Sequence, residues 1–324
     1  MQPCSILAGC GGYLPERVVT NDELARTVDT SDEWIQERTG IRQRHFAAHH
    51  ETTAFMGAAA ARAALADAGA TPDDVDAIIL ATSTPDQAFP ATALRVQAEL
   101  GVKRGFGFDL SAACAGFIYA LSVADGMIKA RQATGVLVIG SEVYSRILNW
   151  QDRGTCVLFG DGAGAVFLRA AASDGEANRR GILSTHIHAQ GSLGDILYVD
   201  GAVGQPDKPG HLVMHGRDVF RHAVTRLAEA VDEAMAASGL SHADIDWLVP
   251  HQANRRIIDA MGRKLGLPAE RVVVTVDRHA NTSAASVPLA LTEARRDGRI
   301  KDGQLVLLEA LGGGLAWGSA LVRI

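Results

Sequence analysis

At 324 residues the chain is long enough for two core-forming units, and 47% hydrophobic with 21% charged residues excludes a disordered chain. A formal charge of −6 speaks against nucleic acid as a general partner, no apolar run has the length of a membrane span, and residues 1–13 lack the pattern of a signal peptide. Cys4, Cys10, Cys114 and Cys156 form no CxxC pair and no zinc-like spacing with histidine, so free thiols in a reducing cytoplasm and no metal site are expected.

Residues 6–19 read as a strand broken by Gly9, Gly11, Gly12 and Pro15. Thr20 and Ser31 each cap a short helix with acidic first-turn residues, the second reaching Thr39, and 40–46 is basic. An Ala-rich helix is predicted over 53–68. The apolar run 75–82 has the character of a strand buried on both faces of a parallel sheet. A loop to Pro90 and a helix over 91–100 follow. A strand over 105–110 then passes through Ser111, Ala112 and Ala113 into Cys114 and a helix over 115–130.

Cys114 thus stands at a helix N-terminus, where the macrodipole and free N–H groups favour a thiolate. The plainer reading is a small buried hydrophobe. Residues 135–140 form another buried strand. Residues 158–167 are glycine-rich like a phosphate loop but lead into an apolar strand rather than a helix, so a hairpin is expected and dinucleotide binding rejected. Residues 173–209 are irregular and rich in Gly, Asp, Ser and His, where a flexible excursion or a hairpin is expected, and 190–211 yields no structural prediction. A helix over 217–238, a strand over 246–249, a helix over 254–265, a strand over 271–276 and a helix over 283–296 follow. Strands over 304–309 and 315–323 meet through Gly312-Gly313-Gly314.

The second half echoes the first. Gly69 and Gly239 are 170 positions apart, as are Asp76 and Asp246, and Gly135 precedes Gln304 by 169. The order helix, strand, helix, strand, helix, strand, strand recurs, which predicts two α/β units of one design, each with a five-stranded mixed sheet. The repeat places Cys114, His251 and Asn281 at the carboxyl ends of strands, where open α/β sheets hold their ligands. A Cys-His-Asn set serves papain-like hydrolysis. It also serves acyl transfer with carbon–carbon bond formation, in which His and Asn donate to an enolate-like oxygen. The basic residues Arg217, Arg221 and Arg226 on one helix, and Arg255, Arg256, Arg263 and Lys264 on another, are either solvated faces or a docking patch for an acidic partner or phosphate.

The motifs carry a resemblance: TSDEWI with Arg38-Thr39-Gly40-Ile41, DLSAACAGF around Cys114, FGDGAG from Phe159, Pro250-His251-Gln252-Ala253-Asn254, NTSAAS from Asn281, and the glycines at 312–314 before Trp317-Gly318. Over essentially its whole length the chain resembles the β-ketoacyl-acyl-carrier-protein synthase III family. The resemblance implies an α/β thiolase-like fold of two pseudo-symmetric halves, 1–172 and 173–324, layered αβαβα. It implies a decarboxylative Claisen condensation of an acyl-CoA primer with malonyl-acyl-carrier protein. Cys114 would carry the acyl group, His251 and Asn281 would stabilise the enolate, and the N–H groups of Cys114 and Gly313 would form the oxyanion hole; the glycines have the alternative role of making a tight hairpin. Trp34 and Arg153 would sandwich the adenine of CoA, with Arg38 on the phosphates, Asn254 on the pantetheine arm and Gly216 a further CoA contact. Phe89, across a homodimer, and Leu311 would bound the acyl pocket, and Arg221, Arg256, Arg263 and Lys264 would dock the carrier protein. The CoA thioester is a substrate and no cofactor stays bound. Trp34 has the alternative of local helix packing and Phe89 that of an ordinary loop residue. Ala280 stands where the family often has glycine and Leu311 where it often has an aromatic residue. Thiolase itself lacks support, since no second cysteine lies near the C-terminal glycines, and chain-elongating synthases use two histidines where position 281 is asparagine. A related condensing or acyl-transfer enzyme of secondary metabolism, a Cys-His-Asn thioesterase and a silent CoA-binding protein are the competing readings.

Overall fold

The apolar run at 77–81 forms a strand with all five residues buried, flanked on both sides by parallel neighbours, as its lack of polar alternation requires. It belongs to the first of two sheets in a computed structural model that describes residues 3–172, 180–201, 205 and 207–324. That sheet comprises β1 (Cys4–Tyr13), β2 (Ala77–Ala81), β3 (Phe106–Leu110), β4 (Gly135–Glu142) and β5 (Gly162–Ala171), in the order β1-β5-β4-β2-β3. The second comprises β6 (Gly181–Ala189), β7 (Trp247–Pro250), β8 (Leu305–Gly312) and β9 (Ala316–Arg323), in the order β7-β8-β9-β6. The strands opening at Ala77 and Gly135 are parallel neighbours in the first sheet, and those opening 170 positions later, at Trp247 and Leu305, are parallel neighbours in the second.

Helices fill the remaining layers. α1 (Thr53–Asp67) and α2 (Thr92–Leu100) pack on the outer face of the first sheet around Ile78, Leu80 and Val96. α3 (Gly116–Lys129) lies between the sheets, with Phe117, Ile118 and Leu121 fully buried. α4 (Gly216–Ser238) and α5 (Arg255–Lys264) cover the outer face of the second sheet around Leu227, Val231 and Leu307. α6 (Ser286–Arg296) joins α3 in the central layer through Val287, Ala290 and Leu291. The result is the expected αβαβα layering. Each large aliphatic side chain sealed in these layers contributes about 1.5–3 kcal/mol. Among the described residues no helix is long and apolar enough to cross a membrane.

Three expectations are corrected. Among the described residues the second sheet has four strands, not five: the β-branched run after Arg271 contributes one isolated parallel bridge, Val272 to Leu248, and then a short helix, Val276–His279. The reason is the buried side chain of Gln252. Its Nε2 donates to the Val273 carbonyl (3.1 Å) and its Oε1 accepts the N–H groups of Thr275 (2.8 Å) and Val276 (3.0 Å), occupying the backbone groups a longer ladder would use. Residues 158–161 are not the first arm of a tight hairpin. Phe159 instead bridges Asn281, and the Asp161 carboxylate accepts the N–H groups of Ala47 and Ser145 (both 2.8 Å), fixing the turn before β5. The irregular region contains a full strand, β6, which Ser184, Thr185, His186 and His188 disguise as a loop; the antiparallel pairing of Leu197–Val199 with Leu212–Met214 agrees with the hairpin alternative. The expected division at 172 and 173 lies beside residues outside the described set.

Candidate active site

The turn that carries Cys114 is built from its neighbours. The Asp109 carboxylate accepts the N–H groups of Thr92 (2.6 Å) and Ala93 (2.8 Å), tying the end of β3 to the start of α2. The chain then passes through Ala113 at a φ of +46°, a conformation a β-carbon disfavours, and enters α3 through one 3₁₀ turn over Ala113–Ala115. Gly312, at the end of β8, lies against this turn. A β-carbon there would come within 2.5 Å of the Cys114 nitrogen, so only glycine lets the two halves meet at this point.

His251 follows β7 directly, and its N–H donates to the Glu309 carbonyl (2.8 Å). Its Nδ1 lies 2.5 Å from Ser286 Oγ, at the first residue of α6. Burial alone pushes the imidazole pKa down to about 3, so it is neutral at ordinary pH. Asn281 is held on both sides of its backbone: its N–H donates to the Leu158 carbonyl (2.9 Å) and its carbonyl accepts the Gly160 N–H (3.0 Å). Its side-chain Oδ1 accepts the Ser283 N–H (2.9 Å). Ala280 and Ser283 on either side have φ of +57° and +49°, which accounts for a position where glycine is common.

Cys114, His251 and Asn281 all line one cavity of about 770 Å³, together with Leu311, Gly313, Tyr144 and Phe159. All three are buried, whereas Arg38 and Arg256 on the same cavity are exposed, so the space runs from the surface to the sulfur. The expected thiolate is not the resting state. Burial pushes the Cys114 thiol up to about 12, against the lowering effect of a hydrogen bond from the Ser283 hydroxyl and with the Glu142 charge adding to the rise. Desolvation outweighs the helix terminus here.

The expected CoA contacts divide. Trp34, Arg38, Asn254 and Gly216 line the cavity. Arg153 does not, and its guanidinium lies 5.3 Å from the centre of the Trp34 ring while bonding Asp29. A ring inserted between them needs about 7 Å, two contacts of about 3.5 Å each. Arg153 must therefore swing out before an adenine could enter, and its ion pair with the fully exposed Asp29 side chain is weak enough to allow it. Arg38 already stacks on the same indole at 4.8 Å. The Asn254 amide caps α5 through the Arg256 N–H (2.8 Å) and donates to the Arg38 carbonyl (3.1 Å), so it has a structural duty besides any ligand contact. Gly216 is not needed for space, since a β-carbon there would meet only the Met214 methyl at 3.7 Å. Phe89 is 84% exposed and outside the cavity of its own chain. Arg221, Arg256, Arg263 and Lys264 are exposed on α4 and α5, with Arg221 paired to Asp218 at 3.1 Å.

Two segments of the chain match family profiles. Residues 235–324 match the family described as 3-oxoacyl-[acyl-carrier-protein (ACP)] synthase III C terminal, and 108–191 match 3-oxoacyl-[acyl-carrier-protein (ACP)] synthase III. A β-ketoacyl-[acyl-carrier-protein] synthase III from Acidiphilium cryptum (strain JF-5) is 71% identical over 319 residues, 98% of this chain and 99% of that protein. The chain belongs to the β-ketoacyl-acyl-carrier-protein synthase III family. It is accordingly a condensing acyltransferase of thiolase-like fold. The crystal structure of 3-oxoacyl-[acyl-carrier-protein] synthase III from Aquifex aeolicus VF5 superposes with a TM-score of 0.93 at 46% identity, covering 99% of this chain and 100% of that one. The priming β-ketosynthase of the R1128 polyketide pathway reaches the same TM-score at 37% identity, covering 99% and 97%.

Within this synthase III, sequence reasoning missed Glu142, Tyr144, Ser283 and Ser286, which surround the Cys-His-Asn set. Ser283 and Ser286 stood inside a quoted motif, and the acid at the end of an apolar strand was a signal in itself. The wall formed by Leu197, Tyr198, Val199, Leu212 and Met214 was hidden because the region lacks periodicity.

Proposed function

We propose that Cys114 takes the acyl group of an acyl-CoA as a thioester and that malonyl-acyl-carrier protein then loses CO₂ beside it. The resulting enolate carbon attacks the acyl-Cys114 carbonyl and expels the Cys114 sulfur, giving a β-ketoacyl-carrier protein and starting fatty-acid synthesis. The observation that carries this reading is a convergence of donors. Ser283 occupies the Asn281 amide oxygen, which leaves the amide N–H groups for the cavity. When the Ser286 hydroxyl donates to His251 Nδ1, the proton of the neutral ring sits on Nε2, the second donor. Two neutral donors beside a cysteine suit an enolate oxygen, whereas a hydrolase needs its histidine as a proton acceptor from sulfur. The N–H groups of Cys114 and Gly313 form the oxyanion hole for the acyl thioester in this reading.

CoA enters along Trp34, Arg38, Gly216 and Asn254, with Arg153 closing on the adenine after it moves, and Leu311 bounds the primer. The exposed Arg221, Arg256, Arg263 and Lys264 receive the acidic carrier protein. The CoA thioester is consumed as substrate, and the reading requires no permanently bound cofactor. We assign the chain to the cytoplasm as a homodimer with halves 1–172 and 173–324. The exposed Phe89 and the edge strand β3, with Phe106 41% exposed, are the surface that a second copy would cover.

Incubation with labelled acyl-CoA should place the label on Cys114 by mass spectrometry, and adding malonyl-carrier protein should release CO₂. Condensation surviving in Cys114→Ala would overturn the reading, and release of free acid without CO₂ would favour the thioesterase.

A further inference from the structure

The buried end of the cavity carries two aromatic rings that the condensation chemistry does not use. Tyr144 stands two residues beyond β4 and opens the turn Tyr144–Arg146, and Phe159 precedes the turn into β5. Both line the cavity and are only 3% and 2% exposed. Their rings stack, with centroids 4.9 Å apart and planes inclined by 21°. The mouth of the same cavity has the opposite character, since Arg38, Arg256 and Phe220 are exposed there.

Tyr144 is braced from every side. Its neighbours pin the backbone: the Val143 N–H donates to Thr84 Oγ (2.9 Å), and the Ser145 N–H donates to the buried Asp161 carboxylate (2.8 Å). Phe159 covers one face of the ring and is itself fixed by its bridge to Asn281. The phenol oxygen lies 3.0 Å from Ser283 Oγ, within hydrogen-bond reach. Turning the ring away would strand that hydroxyl in the interior without a partner, which buried polar groups resist.

An acyl group on Cys114 has few directions open to it. His251 and Asn281 take the side where the enolate oxygen sits in the proposed condensation. The passage along Arg38 and Asn254 must hold a pantetheine arm, first of CoA and then of the carrier protein. The buried apolar lining left to the acyl chain includes Leu311, Val157 and the two rings. Leu311 has no polar anchor, so its rotamer can adjust, whereas Tyr144 is held at both ends. The Ser283–Ala285 turn that anchors the phenol also packs on the start of α3, where a β-carbon on Gly116 would lie 3.6 Å from Ala284 Cβ. The tip of Tyr144 is therefore tied to the same turn that backs the nucleophile.

We propose that Tyr144, braced by Phe159 and Ser283, sets the length of the acyl primer and restricts Cys114 to short acyl groups such as acetyl and propionyl. This rests on Cys114 being the acyl acceptor of the proposed condensation and adds the substrate class to that reading. A longer chain would have to enter the volume of a braced ring, and close-packed interiors resist added methylenes by forcing neighbours out of place. A pocket of this kind discriminates by about 10- to 200-fold for one methylene.

The test is the single-turnover rate of Cys114 acylation by acetyl-CoA and by octanoyl-CoA, followed by the mass of the acylated protein and expressed as the ratio of the two rates. A variant that only loosens the fold slows both reactions and leaves the ratio in place. The wild type should favour acetyl-CoA by about 100-fold or more. Tyr144→Leu should shift the ratio toward octanoyl-CoA by about tenfold or more. Tyr144→Met fills the buried site with a side chain that can bend aside, and it decides the matter if Tyr144→Leu does not fold. A wild type that takes octanoyl-CoA as readily as acetyl-CoA, or a ratio unmoved in the folded variants, would overturn the proposal. So would a ratio that shifts in Phe89→Ala and not in Tyr144→Leu, which would put the limit at the exposed ring of a second copy. If no acyl-CoA of either length forms acyl-Cys114, the proposed function fails instead.

Discussion

Asn281 Oδ1 accepts the Ser283 backbone N–H at 2.9 Å, and this bond decides which end of the amide faces Cys114. An aspartate at 281 keeps the acceptor and loses the donor, so the turn is preserved while the cavity gains an acceptor where an enolate oxygen would sit. Asn281→Asp should lower condensation by about 10²–10³, the loss of about 3–4 kcal/mol seen when one such donor is removed. Cys114 acylation should stay close to wild type. Separate assays of the two half-reactions check this, and equal loss in both would show that Asn281 acts on the fold rather than on the enolate.

Ser286 fixes His251 from the other side of the cavity wall, 2.5 Å from Nδ1. Without that partner the ring can turn or change tautomer, and its Nε2 proton is no longer guaranteed. Ser286→Ala should cost condensation about tenfold, equivalent to about 1.4 kcal/mol. His251 is neutral from about pH 3 upward, so the condensation step should show no inflection near the ordinary histidine range. A condensation profile that follows an imidazole near pH 6.5 would contradict the buried, neutral ring.

The parts of the molecule legible in the sequence share one physical origin, regular burial. Runs such as 77–81 and 135–140 are apolar throughout because helices cover both faces of their sheet, and the 170-residue offset survives because equivalent strands occupy equivalent layers. The places of Cys114 and His251 after β3 and β7 were legible as strand ends, whereas Asn281 follows the short helix Val276–His279 and not the strand expected before it. What stayed hidden depends on single side chains. Gln252 replaces a strand ladder with its amide, and the polar β6 is half-buried at a sheet edge. The rise in the Cys114 pKa could not be read from a helix terminus, because it comes from layers distant in sequence closing over the sulfur.

The contact between the two halves at the nucleophile can be tested at Gly312. A β-carbon at that position would lie 2.5 Å from the Cys114 nitrogen and 3.0 Å from the Ala115 nitrogen, both backbone atoms that cannot rotate away. Gly312→Ala should therefore displace the Cys114 turn, costing about 1–3 kcal/mol of stability. Acylation should fall more than acyl-CoA binding. Thermal unfolding and acylation kinetics check this, and a variant acylating at the wild-type rate would show that the turn tolerates displacement.

Glu309, on β8 among Leu307, Leu308 and Leu311, is fully buried, and both its carboxyl oxygens lack a partner among the described residues. Burial lifts its pKa from 4.5 to about 8. In the unfolded chain the group ionises near 4.5, so between that pH and about 8 the folded protein holds a proton that the unfolded chain has released. Its contribution to stability is then greatest below pH 4.5, falls as pH rises, and levels off above about 8. Glu309→Gln does not titrate and keeps the shape of the protonated acid. Its melting temperature should sit close to wild type near pH 5 and rise progressively above it toward pH 8, by the equivalent of a few kcal/mol. Other titrating groups, Glu142 included, are common to both proteins and cancel in the difference. A gap that stays constant with pH would mean that Glu309 is ionised in the folded chain, and that a partner for its charge exists.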